Sequence, residues 1–315
     1  MPHDTALIDP QLAIFRDDVL AGLSRPRKKL SPRWLYDDRG CELFEAITRL
    51  PEYYPTRTET GILADNADSI AAFCGPDAVM LEYGAGAGIK TEIIVEALLA
   101  PRLYVPIDIA ANFLQQTAAR FEKRFAHLRT MPFVGDFTTQ LHLPAAVPEA
   151  NRFGFFPGST IGNLDPDEAV AFLCQVRRHV GAHGRCVIGV DLKKDIGTLI
   201  DAYDDSLGVT AEFNLNLLRR INRELSGTFR LDRFRYVAIW NEEESAIEMH
   251  LESIVPQTVE VAGRSIRFAA SETIHTESSR KYDHSSFMAL AAEAAWRFDR
   301  AWTDADGRFA VFGLV

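Results

Sequence analysis

The spacing of apolar residues divides the chain at residue 79. Before this point, apolar side chains recur every three or four positions and predict amphipathic helices over 11–23, 41–50 and 58–73. After it, short apolar runs alternate with amphipathic segments. This alternation predicts strand–helix units, and hence an open, mostly parallel sheet that follows a helical N-terminal region.

The alternating region contains five runs that we predict to be strands. They lie at 79–83, 103–108, 130–134, 152–156 and 185–190, and helices are expected near 91–99, near 111–126 and in a segment that ends near 180. The carboxyl ends of parallel strands lie along one edge of a sheet. A ligand is therefore expected to bind at that edge.

The alternation stops after Asp191. Helical spacing is found in 193–205 and 209–225, and strand-like alternation in 228–240, 246–253, 257–262 and 264–275. We interpret this block as a second unit inserted into the first. The chain then returns to the pattern of the sheet, with a helix near 284–296 and two strands around the turn at 304–307.

Glycine is concentrated where the first predicted strand meets its helix. Gly84, Gly86 and Gly88 follow Glu82 at every second position, and Lys90 comes at the predicted helix start. Glycine allows positive φ and a close approach of the backbone to a ligand, so the junction predicts a nucleotide-like ligand. The dinucleotide fingerprint G-x-G-x-x-G has its third glycine one residue later, and this spacing therefore disfavours a nicotinamide cofactor.

Acidic residues end the next two strands. Asp108 can accept hydrogen bonds from both hydroxyl groups of a ribose. Asp136 can accept one from an adenine amino group, and Phe137 can pack on the base. An acidic residue at a single strand end is often only a helix cap, but acidic residues at successive strand ends favour a cofactor site. The segment from Glu82 to Gly88 resembles motif I, E/D-x-G-x-G-x-G, of the class I S-adenosylmethionine-dependent methyltransferases.

Composition and charge narrow the class of protein. A hydrophobic content of 47% and a charged content of 25% are typical of globular proteins. The net charge of −10 argues against a nucleic-acid partner, and we interpret the short basic cluster at 25–29 as a solvated linker. No apolar stretch approaches about 20 residues, so no membrane span is expected. The polar N-terminal residues MPHDTALIDP do not have the pattern of a signal peptide.

The cysteines and histidines form no metal-binding motif. Cys41, Cys74, Cys174 and Cys186 lack C-x-x-C spacing, and the eight histidines form no H-x-H or H-E-x-x-H pattern. We predict free thiols and no catalytic metal. Free thiols are typical of reducing compartments, and we therefore expect a cytoplasmic protein.

Longer segments extend the resemblance to one family. They are WLYDDRG, LPEYYPTRTE, FPGSTIGNLDP, AYDDSLGVTAEFN, NRELSGTF, AIWNEEESAIEM and TESSRKYD. From about Leu30 to its C-terminus, the chain resembles the histidine Nα-methyltransferases of ergothioneine biosynthesis. The resemblance implies trimethylation of L-histidine to hercynine with the cofactor S-adenosyl-L-methionine. It also implies an α/β fold, a Rossmann-like seven-stranded class I methyltransferase sheet with an inserted α+β substrate-binding domain.

The resemblance assigns one group of residues to the amino-acid backbone of the substrate. Tyr36, Tyr53, Gly158, Asn163 and Tyr203 are expected to hold its α-amino and α-carboxylate groups, with Tyr36 and Asn163 as candidate catalytic residues. Phenol and amide groups suit this role, because they can bond to an ammonium, an amine and a methylated amine in turn. A tight carboxylate partner would instead favour the protonated amine, which is not nucleophilic.

A second group is expected at the imidazole ring. The resemblance implies that Glu277 and Ser279 contact its two nitrogen atoms, that Met249 forms a pocket wall and that Thr210 supports it. The implied cofactor-binding residues are Gly84, Gly86, Lys90, Asp108, Asp136 and Phe137.

The chain departs from the family pattern at two cofactor-side positions, where Ile89 replaces a polar residue and Ala110 replaces a second aspartate. The resemblance also implies a domain division. We expect residues 58–191 and 282–315 to bind the cofactor and residues 1–57 and 192–281 to bind the substrate, in a monomeric protein.

Three other functions compete with this prediction. The nearest is an Nα-methyltransferase for another aromatic amino acid such as a tryptophan derivative. Glu277 favours histidine over it, because an indole offers only one N–H group. A nicotinamide-dependent oxidoreductase would need a catalytic set that the sequence does not show. A non-catalytic cofactor-binding protein is hard to reconcile with the predicted acceptor pocket.

Overall fold

The computed structural model describes residues 10–315. Residues 1–9, which carry most of the segment used to argue against a signal peptide, lie outside the described residues. No helix within 10–315 is long and apolar enough to cross a membrane.

The described chain contains helices, strands and three short 3₁₀ helices. The helices are α1 (Pro10–Leu23), α2 (Asp38–Ile47), α3 (Tyr54–Asp65), α4 (Ala67–Cys74), α5 (Ile89–Ala97), α6 (Ala111–Arg124), α7 (Pro166–Val180), α8 (Ile196–Asp201), α9 (Val209–Glu224) and α10 (His284–Glu293). The strands are β1 (Lys28–Lys29), β2 (Val79–Tyr83), β3 (Leu103–Asp108), β4 (Arg129–Thr130), β5 (Phe133–Val134), β6 (Arg152–Phe156), β7 (Arg185–Asp191), β8 (Phe234–Asn241), β9 (Ala246–Ser253), β10 (Gln257–Val261), β11 (Arg264–Phe268), β12 (Thr273–Arg280), β13 (Phe298–Thr303) and β14 (Phe309–Leu314). The 3₁₀ helices are Pro32–Leu35, Thr160–Asn163 and Leu231–Arg233.

The largest sheet has the order β13-β14-β7-β6-β2-β3-β4, and β5 also pairs with β3. The β2–β3, β2–β6, β6–β7, β3–β4 and β3–β5 pairs are parallel, whereas β14 is antiparallel to both β7 and β13. Because β4 and β5 follow one another along the same edge of β3, they occupy one strand position. The sheet therefore has seven positions, which confirms the predicted Rossmann-like class I methyltransferase fold.

Strand β2, inside the sheet, is buried on both faces, as expected for a parallel sheet covered by helices. Every residue of β2 is buried, and alternate side chains point into two separate cores. Val79, Leu81 and Tyr83 pack in the core formed with α7 and α10, whereas Met80 packs with α3 to α6. Each large apolar side chain that is fully buried in this way contributes about 1.5–3 kcal/mol of hydrophobic stabilisation.

Local sequence signals set the limits of α7. Asp165 and Glu168 form a capping box at its N-terminus, and Pro166 occupies the first turn, where a missing N–H costs no hydrogen bond. Gly181 ends the helix with φ +85°, a conformation that favours glycine. The helix start is thereby fixed directly after the 3₁₀ turn that ends at Asn163.

The described residues form two compact units. The larger comprises 45–202, 240–247 and 278–315, and the smaller comprises the residues up to Phe44 together with 203–239 and 248–277. The larger unit thus includes residues 45–57, 192–202, 240–247 and 278–281, which the prediction places in the substrate-binding domain. Which domain binds which ligand stays a prediction.

Two smaller sheets complete the chain. One has four strands in the order β1-β12-β9-β8, and β1 runs parallel to β12 with Lys29 opposite His275. The other is the antiparallel hairpin of β10 and β11.

Several predicted elements have different limits in the structure. The predicted strand 228–240 begins only at Phe234, because 231–233 form a 3₁₀ turn and Phe229 bonds to the Asn222 side chain through both backbone groups. The predicted strand 264–275 is two strands, since Ser271 adopts a left-handed φ of +63°. Alternation alone did not reveal these turns.

The predicted helices 58–73 and 193–205 also differ. The first is two helices that meet at Asn66, whose side chain bonds back to the carbonyl of Ile62. It begins four residues earlier than predicted, at Tyr54. The second is the short helix α8, which Asp195 caps through the backbone N–H of Thr198.

Candidate active site

The glycine turn follows β2 in the larger unit, and its conformation explains the choice of glycine. Gly84, Gly86 and Gly88 have φ values of +72°, +48° and +68°, in the left-handed region that side chains disfavour. A Cβ on Gly88 would lie 2.6 Å from the ring of Phe121, so packing as well as φ excludes a side chain there. The turn thus leads the backbone from the sheet edge directly into α5.

The predicted cofactor-binding residues of the turn and the next strand lie together. The N–H of Gly86 donates to Oδ2 of Asp108 at 3.3 Å. Thr117 of α6 donates to the carbonyl of Gly86 at 2.9 Å, which fixes the other side of the turn. A Cβ on Gly84 would lie 3.6 Å from the ring of Phe137. Residues at or just after the ends of β2, β3 and β5 therefore lie together at the glycine turn.

The carboxyl group of Asp108 is held by backbone donors. The N–H of Ala110 lies 2.9 Å from Oδ1, so the residue found in place of a second aspartate still serves Asp108 through its backbone. Burial raises the pKa of Asp108, and the backbone bonds oppose this shift. Ile89, the other departure from the family pattern, is 62% exposed at the start of α5.

Glu82 holds the strand to the helix that follows it. Its buried carboxyl group accepts hydrogen bonds from Thr91 at 2.5 Å and from the hydroxyl of Tyr104. Burial raises the pKa of Glu82 to about 8, and the two hydroxyl donors oppose the shift. The acidic residue before the glycines therefore anchors the base of the turn within the protein.

The loop with Asp136 and Phe137 is tied to α7. Phe137 packs edge-to-face on Phe156 and Phe172, with ring centroids 5.4 and 5.6 Å away. Gln175 donates to the carbonyl of Phe137 at 3.0 Å and accepts the N–H of Leu141 at 2.8 Å. One buried amide therefore fixes both ends of the loop that carries Phe137.

His179, one turn after Gln175, links the same loop to the glycine strand. Its Nε2 lies 3.1 Å from the carbonyl of Leu141, which can only accept, so Nε2 carries the proton. Nδ1 then accepts from the hydroxyl of Tyr83 at 2.9 Å. Burial lowers the pKa of His179, which keeps the ring neutral in this arrangement.

Lys90 is placed beside a residue that the sequence reasoning did not single out. Its ammonium forms an ion pair with Glu59 of α3, whose side chain is 1% exposed. The same carboxylate accepts the N–H of Gly158 at 2.8 and 3.0 Å. The structure thereby brings together a predicted cofactor-binding residue, Lys90, and a predicted substrate-binding residue, Gly158.

The loop after β6 also carries Asn163, close to the end of β12. A Cβ on Gly162 would lie 2.6 Å from the carbonyl oxygen of Arg280, so the two segments are in backbone contact. The guanidinium of Arg280 donates to the carbonyl of Leu164 at 3.2 Å. Ser279, next to Arg280, accepts from the ammonium of Lys281 at 2.8 Å. Asn163 and Ser279 are therefore held on neighbouring segments of the larger unit.

Tyr53 precedes the first turn of α3 in the same unit. It is buried and occupies the N-cap position, one residue before Tyr54. Its carbonyl accepts from the guanidinium of Arg57 at 3.2 Å. Glu59 lies further along the same helix, so α3 carries both a predicted substrate contact and the partner of Lys90.

Tyr203 and Glu277 belong to the smaller unit and share a neighbour. The hydroxyl of Tyr236 donates to the carbonyl of Tyr203 at 2.6 Å. Burial raises the pKa of Tyr236 well above its usual value, and the charges of Asp204 and Glu277 add to the shift. Tyr236 is thus hydrogen-bonded to one predicted substrate-binding residue, Tyr203, and its pKa is raised in part by the charge of another, Glu277.

A network of hydrogen bonds in the smaller unit connects the segments that carry Glu277, Met249 and Thr210. Thr276, next to Glu277, donates to the carbonyl of Met249 at 3.0 Å and contacts Oδ1 of Asn214 at 2.5 Å. Asn214 donates in turn to the carbonyl of Thr210 at 3.0 Å. The network fixes the strand that carries Glu277 to the strand of Met249 and to α9. The carbonyl of Thr210 is therefore part of this network, and its supporting role at the pocket stays a prediction.

Tyr36 lies on the same unit, after the first 3₁₀ helix. Its ring packs edge-to-face against Phe44 and Phe213, with centroids 5.7 and 5.5 Å away. Phe213 belongs to α9, which also carries Thr210. Two aromatic neighbours restrict the direction in which the Tyr36 hydroxyl can point.

Comparison with known proteins decides the family. Residues 15–315 match the model of a family described as histidine-specific methyltransferases that depend on S-adenosylmethionine. The chain belongs to this family.

Curated relatives support the same assignment. The histidine N-alpha-methyltransferase of Mycolicibacterium smegmatis is 40% identical over 96% of this chain and 94% of that protein. The histidine N-alpha-methyltransferase of Mycobacterium tuberculosis is 39% identical over 94% of this chain and 92% of that protein. Ergothioneine biosynthesis protein 1 of Neurospora crassa is 28% identical over 90% of this chain, which matches 33% of the fungal protein.

Membership confirms three predictions. This histidine-specific methyltransferase is an enzyme, it depends on S-adenosyl-L-methionine, and the nicotinamide alternative is set aside. The geometry fits the cofactor, because the positive-φ turn lets backbone approach a ligand and Asp108 presents a carboxyl group beside it. The roles of individual residues stay predictions.

The methyltransferase also contains candidate positioning residues that the sequence reasoning missed. Glu59 lies on the buried stripe of α3 that includes Pro55, Ile62 and Leu63. Gln175 lies likewise among the buried residues of α7. The sequence signal for both residues was a polar side chain on an otherwise apolar helix face, because a buried polar group needs hydrogen-bond partners. The predicted helix 58–73 placed Glu59 in its first turn, where an acidic residue is ordinary, whereas α3 begins at Tyr54 and carries Glu59 further along.

Proposed function

We propose that this methyltransferase transfers methyl groups to the α-nitrogen of L-histidine three times and so forms hercynine, as a step of ergothioneine biosynthesis. The observation that carries the proposal is the 40% identity over 96% of the chain to a histidine N-alpha-methyltransferase. Gly158 and Asn163 on the loop after β6, with Ser279 on a neighbouring segment of the same unit as the glycine turn, support it.

The cofactor would be held by the residues around the glycine turn. We assign Gly84 and Gly86 to close backbone contact, Asp108 to the ribose hydroxyls, and Asp136 and Phe137 to the adenine. When bound, S-adenosyl-L-methionine supplies an electrophilic sulfonium methyl group, whose C–S bond breaks as a bond to nitrogen forms. A ribose that donates to Asp108 would compensate the burial that raises the pKa of this residue.

The main contribution of the protein to the reaction is to orient the amino group of histidine. Tyr36, Tyr53, Asn163 and Tyr203 are assigned to the α-amino and α-carboxylate groups of histidine, with Tyr36 and Asn163 nearest to the reacting nitrogen. Neutral hydroxyl and amide groups can follow the nitrogen through successive methylation without fixing its charge. Holding the nitrogen in line with the methyl group converts an encounter between two ligands into a positioned reaction.

Each transfer requires a free electron pair on the nitrogen. The ammonium form of histidine must therefore lose one proton before the first transfer, and each of the two methylated intermediates must lose one before the next. The product of the third transfer has no electron pair left, and the sequence stops there. Activity is consequently expected to rise from neutral to alkaline pH.

We assign substrate specificity to contacts with the imidazole ring, at the end of histidine away from the reacting nitrogen. Glu277 and Ser279 would bond to the two imidazole nitrogens, and Met249 would form the wall beside the ring. Thr276, which donates to the carbonyl of Met249, keeps these strands in register. Thr210 supports the same network through Asn214.

A blocked substrate tests the position of methylation. The protein is incubated with S-adenosyl-L-methionine and either L-histidine or Nα-acetyl-L-histidine, and S-adenosylhomocysteine is measured. We expect product only with free histidine, because the acetyl group removes the nucleophilic amine. Equal product from both substrates would show that a ring nitrogen is methylated and would contradict the proposal.

The assembly and location of the protein are further proposals. We infer a monomer in the cytoplasm with histidine as its small-molecule partner. None of the four cysteines, all of which lie within residues 10–315, forms a disulfide bond. Size-exclusion chromatography with light scattering tests the monomer, since a dimer would elute with twice the chain mass.

A further inference from the structure

A buried carboxylate joins two segments of the proposed site. Glu59 of α3 is 1% exposed, and its two oxygens accept the N–H of Gly158 at 3.0 and 2.8 Å. The same group forms an ion pair with the ammonium of Lys90. Glu59 thus contacts the cofactor-side helix α5 and the loop after β6 at once.

The surroundings leave little freedom for this arrangement. A Cβ at Gly189 of β7 would lie 1.9 Å from Oε1 of Glu59, so the strand backbone packs directly on the carboxylate. Gly158 has φ +86°, and a Cβ there would lie 3.6 Å from Nζ of Lys90. The carboxylate, the ammonium and the loop are therefore held against one another, at a position where an unpaired charge would be costly.

Lys90 remains accessible from outside this cluster. Its side chain is 16% exposed, whereas that of Glu59 is almost completely covered. An ammonium has three hydrogen-bond donors, and Glu59 occupies part of this capacity. The cofactor and histidine both carry an α-carboxylate, a group that a partly exposed ammonium beside a backbone turn can bind.

We propose that Glu59 is a positioning residue that couples the binding of cofactor and histidine through Lys90 and Gly158. The inference rests on the proposed function, which assigns Lys90 to the cofactor and Gly158 to histidine. Binding of either ligand restricts the partly exposed side chain of Lys90 or the loop at Gly158, and their shared contact with Glu59 passes this restriction to the other. The ligand that binds second then loses less conformational freedom on binding.

The test measures coupling rather than affinity alone. Calorimetry gives the Kd of histidine without and with saturating S-adenosylhomocysteine, and the ratio of the two values is the coupling factor. For the unaltered protein we expect a factor of at least about five, within the usual range for coupled sites. In Glu59→Gln the amide oxygen can still accept the Gly158 N–H, but the charge opposite Lys90 is lost, and the factor should approach one.

Three further variants keep the test informative. Lys90→Met removes the other half of the ion pair and should abolish the coupling as well, and the double variant should lose no more than either single one. Thr60→Val is the matched control, because Thr60 follows Glu59 on α3 and its hydroxyl bonds only to the carbonyl of Thr56. It should keep the coupling factor of the unaltered protein.

The outcomes separate the two proposals. A coupling factor that is unchanged in Glu59→Gln and Lys90→Met, or a factor of one in the unaltered protein, would overturn the role of Glu59 while histidine binding stands. Failure of the unaltered protein to bind histidine in either condition would overturn the proposed function and this inference with it.

Discussion

The ammonium of Lys281 lies 2.8 Å from Oδ2 of Asp191, and both side chains are completely buried. Asp191 ends β7 and also accepts from the hydroxyl of Tyr54 at 2.7 Å and from Lys194 at 2.6 Å. Lys281 donates onward to Ser279 at 2.8 Å. The pair therefore connects the end of a central strand to a residue that we assign to the imidazole ring.

Substitution of Asp191 should lower the free energy of unfolding much more than substitution of Lys194, one of its two lysine partners. Asp191→Asn leaves two ammonium groups without their shared anion and should lower the free energy of unfolding by about 3–5 kcal/mol. Lys194→Met is the control, because Asp191 keeps Lys281 and Tyr54 as partners. Urea denaturation measures both. Equal losses in the two variants would show that Asp191 does not organise this cluster.

Glu277 should determine the affinity for histidine. Glu277→Ala leaves one imidazole nitrogen without its partner and should weaken binding by about 1–3 kcal/mol. Calorimetry in the presence of S-adenosylhomocysteine measures the effect. Glu252→Ala is the matched control, since Glu252 lies on β9 of the same unit and pairs with Arg235. Unchanged histidine affinity in Glu277→Ala would remove the argument against a tryptophan derivative as substrate.

Gln175 should affect the cofactor and not histidine. Gln175→Leu leaves the carbonyl of Phe137 and the N–H of Leu141 without their partner, so the loop should shift. We expect roughly tenfold weaker binding of S-adenosylhomocysteine, the equivalent of about 1.4 kcal/mol.

The kinetic constants distinguish this positioning role from a general loss of structure. In Gln175→Leu the KM for S-adenosyl-L-methionine should rise while the KM for histidine stays constant. Cys174→Ala, at the preceding position of α7, should change neither constant. A parallel rise of both constants would contradict a specific effect on the loop of Phe137.

A histidine pair in the smaller unit should make stability depend on acid pH. His275 and His250 lie with ring centroids 5.0 Å apart. Burial and the neighbouring His250 lower the pKa of His275 to about 4. An unfolded histidine titrates near 6.5, so between about pH 6.5 and 4 the unfolded chain binds more protons than the folded protein.

Stability should therefore fall as the pH is lowered through this window, by about 3 kcal/mol from His275. Thermal unfolding at a series of pH values measures the slope. His275→Gln cannot take up the proton and should flatten the slope, whereas His183→Gln, at an exposed position, should leave it unchanged. A slope that persists in His275→Gln would place the acid sensitivity in another group.

The sheet was predictable from sequence because its information is local. Each parallel strand is a short apolar run, and the acidic residues that follow these runs, such as Asp108, identify the ligand edge without any long-range knowledge. The limits of the elements were less predictable. The turn at Ser271 and the break at Asn66 depend on single residues whose backbone and side-chain bonds form only in the folded chain.

The partners of the candidate site residues could not be read from the sequence. Glu59 and Gly158 are far apart along the chain, and only the packing of α3 against the sheet edge brings the carboxylate to the loop. The same holds for Gln175 and Phe137. The roles assigned to Tyr53, Asn163 and Glu277 came from resemblance, because the residue types alone would equally suit packing, turn and surface positions.

The most direct test of the central claim is a competition among possible methyl acceptors. The protein is incubated with S-adenosyl-L-methionine and an equimolar mixture of amino acids, and the products are identified by mass spectrometry. We expect histidine alone to gain one, two and finally three methyl groups, all on the α-nitrogen. Methylation of tryptophan or another amino acid in preference to histidine, or no accumulation of the trimethylated product, would contradict it.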